Sequence, residues 1–161
     1  MIESEKKILL TKKEYDFLKN HRFAAAKSSV QVNYYYDTDS LELNRKGITC
    51  RIREKDGNCR ATIKEHRLRG DDCSVENSLP VKDCHDDSVF TNMGLSCKGS
   101  LETLRSTYAP CDGVRAMLDC SVYLGTADYE LEIEYDRGKE KSATDALEQI
   151  ATELAQNGVL P

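Results

Sequence analysis

The amino-acid sequence predicts an α+β protein built on a closed or nearly closed antiparallel β-barrel of about eight strands, with a charged interior and helices packed outside. Two patterns carry this expectation. Charged side chains recur in period two in separate segments, at Glu3, Glu5 and Lys7, at Arg51 and Arg53, at Arg60 and Lys64 with the polar Thr62 between them, and at Glu130, Glu132 and Glu134. Period two is the repeat of a strand, so each set shares one face, with apolar residues on the other face of the later segments. Short, turn-rich links also join successive strand-like runs, which is the mark of an antiparallel meander. So many strands with charge on one face and core on the other do not suit a flat open sheet, and closure is the economical arrangement.

Each element has its own signal. Residues 2–10 alternate as a strand, and Thr11 with Glu14 forms a capping box that opens a helix over 12–20. Residues 30–37 are dense in β-formers, with Tyr34, Tyr35 and Tyr36 in a row, and packing is the default reading of all three rings. The stretch 37–40 reads as a turn into a short piece at 41–43, with Asp37 and Thr38 as its cap, and Lys46-Gly47 supplies the next break. Alternating runs over 48–54 and 59–64 flank Asp56-Gly57 and predict a hairpin. Residues 67–72 read as a loop, 73–79 as a strand, 80–92 as one or two helical turns and 93–95 as a connector. Strands are expected at 100–108, 114–123 and 129–136, joined by turns at 110–113 and 124–128. Ala143, Ala146, Leu147, Ile150, Ala151 and Leu154 form the apolar stripe of a closing helix over 142–157, ended by Asn157-Gly158.

The 161 residues fit one domain, 1–161, large enough to bury its own core. Hydrophobic residues make up 39% and charged residues 32%, a soluble, rather polar composition whose surplus charge is solvated or used. No segment approaches the roughly 20 apolar residues that span a bilayer, and the first residues lack the order of a signal peptide, so a cytoplasmic location without membrane association is expected. The net charge of −5 argues against a general nucleic-acid binder. Seven cysteines lack any Cys-x-x-Cys pair and are expected as reduced thiols; Cys73, Cys84 and His85 do not have the spacing of a zinc site. His21, His66 and His85 fit no nucleophilic or metal pattern, and the absence of a Gly-rich phosphate loop excludes a P-loop ATPase.

Glu3, Glu5 and Lys7 on one strand face make sense in a hydrated pocket, where carboxylates hold a divalent cation and the amine meets an anion. Glu3-Ser4-Glu5-Lys6-Lys7 fits the ExExK signature of the CYTH proteins, or triphosphate tunnel metalloenzymes, which include class IV adenylate cyclases, thiamine triphosphatases and inorganic triphosphatases. Further segments resemble the same family in the same order: Asn33 to Thr38, Lys46 to Arg53, Thr62 to Glu65 and Tyr129 to Glu134. The resemblance spans about residues 2–136 and implies a tunnel in which basic side chains clamp a linear triphosphate and glutamates hold magnesium or manganese.

Carried over by motif, Glu3 and Glu5 are expected as metal ligands, and Lys7 as a phosphate contact that shares their catalytic role. Arg51, Arg53, Lys64, Arg60 and Arg105 are expected to bind phosphate, with Arg105 the looser match. Asp119 and the glutamates 130, 132 and 134 complete the acidic wall, the metal pair being either Glu130 with Glu132, which is favoured, or Glu132 with Glu134. Glu76 is a further candidate. Arginine suits phosphate because its planar fork donates two parallel hydrogen bonds, whereas carboxylates reach that anion only through a cation.

The resemblance thus implies metal-dependent hydrolysis of a triphosphate-containing small molecule, with tripolyphosphate as first expectation. The alternatives are a class IV-type adenylate cyclase and a non-catalytic module that binds polyphosphate or nucleotide. Many relatives continue past the closing helix with further basic residues, so one basic contact is expected to be missing. The 66–98 region matches only loosely, which leaves substrate choice open. An exposed barrel edge would favour pairing into a homodimer, and the sequence leaves that open as well.

Overall fold

A computed structural model describes residues 2–66 and 73–159. The expected loop over 67–72 lies outside the described residues. The elements run β1 (Ile2–Leu10), α1 (Lys12–Asn20), β2 (Lys27–Asp37), α2 (Glu42–Arg45), β3 (Ile48–Lys55), β4 (Asn58–His66), β5 (Cys73–Val81), α3 (Ser88–Thr91), β6 (Ser96–Cys111), β7 (Val114–Tyr123), β8 (Thr126–Tyr135) and α4 (Glu140–Gln156). The strands hydrogen-bond in the order β1-β5-β4-β3-β2-β6-β7-β8, and β8 pairs back onto β1, so the sheet is a closed barrel, as the alternating charge predicts.

The chain forms two compact units, one of Met1–Glu3 with Val30–Thr103 and the other of Ser4–Ser29 with Leu104–Pro161. In the first, the β3–β4 hairpin is the organising piece. Asp56 and Gly57 form its two-residue loop at φ 52° and 73°, the left-handed pair that matches the twist of the strands. The ladder that follows sets Arg51 opposite Thr62 and Arg53 opposite Arg60. Alternation then sends Cys50, Ile52 and Ala61 to the other face, into a core with Tyr36, Cys84, Phe90 and Leu95. Ile52 and Phe90 are fully buried.

The second unit is built on β1, β8 and β7. Val114, Ala116, Leu118, Leu131, Ile133 and Tyr135 share one sheet face and pack with Tyr15 and Leu18 of α1 and Ala143, Ile150 and Leu154 of α4. Leu118, Leu131 and Ile133 are wholly buried, each contributing about 1.5–3 kcal/mol relative to exposure. The capping box forms as expected: the Glu14 amide donates to Thr11 Oγ1 at 3.3 Å and the Thr11 amide donates to Glu14 Oε2 at 2.6 Å.

Several expectations are corrected. The five-residue turn at 124–128 is a two-residue loop, Leu124-Gly125, with Leu124 at φ 47° and fully exposed. A leucine there carries none of the usual turn signal, which is why β8 was expected to start later. β2 begins at Lys27 and β6 extends over Ser96–Cys111, absorbing Pro110; β5 absorbs Pro80, leaving only α3 of the helical turns sought in 80–92. Cys59 and Cys84 form a disulfide with Cα atoms 5.4 Å apart, so the expectation of seven reduced thiols fails for this pair. Pairing of β4 with β5 carries the segment after Val81 alongside Cys59, a proximity invisible at a sequence separation of 25.

Candidate functional site

The second unit gathers acidic groups on the sheet face opposite its core. Glu5 lies opposite Glu134 and Lys7 opposite Glu132 in the β1–β8 ladder, while β7 sets Arg115 beside Glu134, Met117 beside Glu132 and Asp119 beside Glu130. One carboxylate oxygen from each of Glu5, Glu132 and Glu134 lies within 4.8 Å of the others. Three hard oxygen donors on rigid strands at that separation fit a magnesium- or manganese-like cation, and they offer nothing to a soft metal. The register picks the members: Glu134, facing Glu5, joins this group where the sequence reading favoured Glu130.

Glu130 stands instead beside Lys7, whose Nζ is 3.7 Å from Glu130 Oε2 and 3.8 Å from Glu132 Oε1. Burial disfavours the Lys7 ammonium, yet the carboxylates of Glu132, Glu130 and Glu5 outweigh it and raise its pKa above the ordinary lysine value. Arg105 is more deeply placed. It donates from Nε and Nη2 to the two oxygens of Asp119 at 2.8 and 2.6 Å, and from Nη2 to Glu132 Oε2 at 2.6 Å. Burial opposes its charge, but the hydrogen bonds it donates to Asp119 and the charge of Glu132 win, so its pKa moves up. Asp119, expected among the metal ligands, is thereby engaged on both oxygens by a guanidinium. Its side chain is 5% exposed and that of Glu132 6%, which leaves water little access to either.

The first unit gathers the basic groups. Arg51, Arg53, Arg60 and Lys64 share the face of β3 and β4 turned away from Ile52 and Ala61. Arg53 Nε donates to Asn33 Oδ1 at 2.8 Å, and Arg60 donates from Nε and Nη2 to Ser78 Oγ at 2.9 and 2.7 Å. Arg51 Nη2 lies 3.5 Å from Glu76 Oε2, and Lys64 Nζ lies 3.2 Å from Glu3 Oε2. Glu3 therefore stands with Lys64 rather than in the Glu5 group. Among the described residues, nothing accepts a hydrogen bond from the buried Arg51 Nε. A buried donor left unmade costs about 1–3 kcal/mol, and an anion is the acceptor such a donor lacks.

Sequence reasoning passed over Asn33, Ser78, Met117 and Arg115. Met117 Sδ is 3.0 Å from Arg105 Nη1, and Arg115 Nη2 is 2.9 Å from Glu134 Oε2. The first three show no charge to read; each is found only by counting alternate residues across a known ladder.

Comparison with known proteins now decides the family. The CYTH domain family model matches residues 1–159. The chain belongs to the CYTH domain family. It is 34% identical over 148 residues to "Putative triphosphatase YjbK" of Bacillus subtilis, a match covering 83% of this chain and 77% of that protein. Among solved structures, one described as a "putative adenylate cyclase" from Bacillus halodurans is 25% identical with a TM-score of 0.71, over 99% of this chain and 92% of that one. The Hippeastrum protein HpAC1, described as a "putative adenylyl cyclase" with "a dominant triphophatase activity", shares the fold at 19% identity and a TM-score of 0.68, over 98% and 88%. The matched residues include β1, the strand that carries Glu5 and Lys7. No helix among the described residues is long and apolar enough to cross a membrane.

Proposed function

We propose that this CYTH protein hydrolyses a triphosphate-containing small molecule with a magnesium or manganese ion as cofactor, within one CYTH domain over 1–161. The observation that carries the reading is the group formed by Glu5, Glu132 and Glu134, whose oxygens converge within 4.8 Å on strands bearing the family's signature. These three carboxylates would hold the cation. Bound there, it supplies charge neutralisation for the phosphoryl group and lowers the pKa of a coordinated water.

The remaining work falls to this chain's own residues. Arg51 and Arg53 are forks for phosphate oxygens, Arg51 with its buried Nε still to be satisfied, and Lys64 and Arg60 add charge on the same strand face. Lys7, an ammonium at physiological pH, serves as a point charge for phosphate. Arg105, held by Asp119 and Glu132, supplies a further guanidinium. Glu3 contributes by orienting Lys64. Phosphoryl transfer asks for little beyond positioning and charge, and these groups provide both.

The test incubates purified protein with tripolyphosphate, ATP and thiamine triphosphate, each with magnesium, manganese or excess chelator, and measures released phosphate alongside cyclic AMP. Phosphate release that needs metal and is abolished in the double variant Glu5→Gln, Glu132→Gln is expected. Turnover undiminished in chelator, or in that variant with its circular dichroism unchanged, overturns the reading. Cyclic AMP as the main product would replace it with a cyclase.

A further inference from the structure

Asn33 lies in the middle of β2 and is 2% exposed, although asparagine is among the residues least suited to a strand interior. Its Oδ1 accepts a hydrogen bond from Arg53 Nε at 2.8 Å. We infer that Asn33 is a positioning residue: it fixes the plane of the Arg53 guanidinium, so that phosphate oxygens meet a fork already oriented. On the triphosphate reading above, on which this inference rests, Asn33 acts only through Arg53.

The backbone brings the two side chains together. Asn33 stands directly opposite Arg53 in the β2–β3 ladder, a placement at which cross-strand side chains meet. Tyr34 and Tyr36 alternate to the other sheet face, where Tyr36 is buried in the apolar cluster and Tyr34 packs against it, so the strand that carries the amide is anchored. An arginine Nε can only donate, which decides that Oδ1 and not Nδ2 faces it. Because a guanidinium is planar, one bond at Nε, made to a backbone held in the ladder, sets the plane in which all of its N–H groups lie.

The neighbouring arginines give the contrast. Arg51, two residues away on the same strand face, has no acceptor for its Nε among the described residues, and its Nη2 lies 3.5 Å from the Glu76 carboxylate. A carboxylate orients a guanidinium while opposing its field at the site. A neutral amide orients it without subtracting charge, which suits a group that must attract a polyanion. Ser78 plays a comparable part for Arg60, yet Ser78 is exposed, and water can stand in for its hydroxyl. Asn33 is shielded from water, so removing its oxygen takes away an acceptor that solvent does not readily replace. An apolar side chain at this position would fill the space and leave the Arg53 plane without that restraint.

The experiment follows the Arg53 Nε–Hε resonance by nitrogen-15 NMR, assigned by its absence from Arg53→Lys, and measures the calorimetric Kd of tripolyphosphate and of ATP with magnesium through a double-mutant cycle of Asn33→Ala and Arg53→Lys. Exchange of Hε with water is expected to quicken about tenfold or more in Asn33→Ala. In Asn33→Asp, which keeps the acceptor oxygen and guards against a folding artefact, it is expected to stay within roughly twofold of the wild type. Asn33→Ala is expected to raise Kd about tenfold in the presence of Arg53, the cost of a misplaced contact, and less than about twofold in the Arg53→Lys background, because lysine has no planar fork to hold. Equal factors in the two backgrounds, or Hε exchange unmoved by Asn33→Ala, overturn the assignment. If neither tripolyphosphate nor ATP binds the wild type while Hε exchange still depends on Asn33, the triphosphate reading falls and Asn33 remains the residue that fixes Arg53. Binding of either compound with a Kd indifferent to Asn33 does the reverse.

Discussion

Arg105→Met is the most informative single perturbation, because it removes one cation from between two carboxylates that are almost inaccessible to water. Methionine keeps the stem and its packing but none of the three charge-assisted bonds to Asp119 and Glu132. Deleting one partner of a buried ion pair typically costs 3–5 kcal/mol, since the opposite charge stays buried without compensation. Here Arg105 is 14% exposed, and the stranded carboxylates can recover part of the loss by binding protons, so the lower end, about 3 kcal/mol, is expected. For a chain of this size that corresponds to a fall of roughly 9 °C in melting temperature. Melting followed by far-ultraviolet circular dichroism in chelator reads it directly. Manganese supplies the second half of the argument. The guanidinium sits 2.6 Å from Glu132 Oε2, so its removal frees a carboxylate of the Glu5 group, and the variant is expected to bind the cation more tightly than the wild type. At about 100 times its Kd the ion adds ~2.7 kcal/mol, nearly the amount lost. A variant that melts within 1 °C of the wild type in chelator would show that the bidentate pair contributes nothing net and would refute the reasoning.

Three further outcomes are expected. Glu134→Gln lowers manganese affinity by at least roughly tenfold, more than Glu130→Gln does, and affinity in the wild type weakens as pH falls below about 5 and ligands gain protons; calorimetry showing the reverse order would return Glu130 to the site. Burial pushes Tyr15 and Tyr36 up to about 12, so absorbance at 295 nm should show both still protonated at pH 11, and titration of all eight tyrosines by then with the fold intact contradicts it. Since those folded-state values lie above the unfolded value near 10, the associated stability is present below about pH 10 and drains away between 10 and 12. Reducing the Cys59–Cys84 bridge opens a loop of 25 residues, about 3.5 kcal/mol in chain-entropy terms, so reductant should lower the melting temperature by roughly 10 °C and leave Cys59→Ser unaffected.

What could be read from the chain was whatever is local. The hairpin around Asp56-Gly57 and the capping box at Thr11 and Glu14 depend on residues within a few positions of each other, and both form. The charged face was legible for the same reason, since period two is counted along a single strand. Which carboxylates meet is a different kind of fact. It depends on the offset between β1 and β8, and a shift of four residues in that offset decides whether Glu130 or Glu134 faces Glu5. Asp119 and Arg105, 14 residues apart on neighbouring segments, carry charges that suit several partners, so their bidentate pairing was not deducible from composition or spacing. The disulfide was hidden by context: scattered cysteines without a short motif read as thiols, and only the β4–β5 ladder brings two of them together.

The period-two pattern also constrains how such a chain can change. Arg51, Ile52 and Arg53 are adjacent residues with opposite obligations, the two arginines on the polar strand face and the isoleucine locked in an apolar cluster. Exchanging one side chain for another on the polar face leaves the cluster untouched, so binding preference can drift by point substitution at little cost to folding. Losing or gaining one residue in β3 transposes the whole frame, driving two guanidiniums into hydrocarbon and a buried isoleucine into water at a single stroke. Length variation in this lineage should therefore collect in the connections and avoid the middle of strands, while chemical variation collects on alternate strand positions.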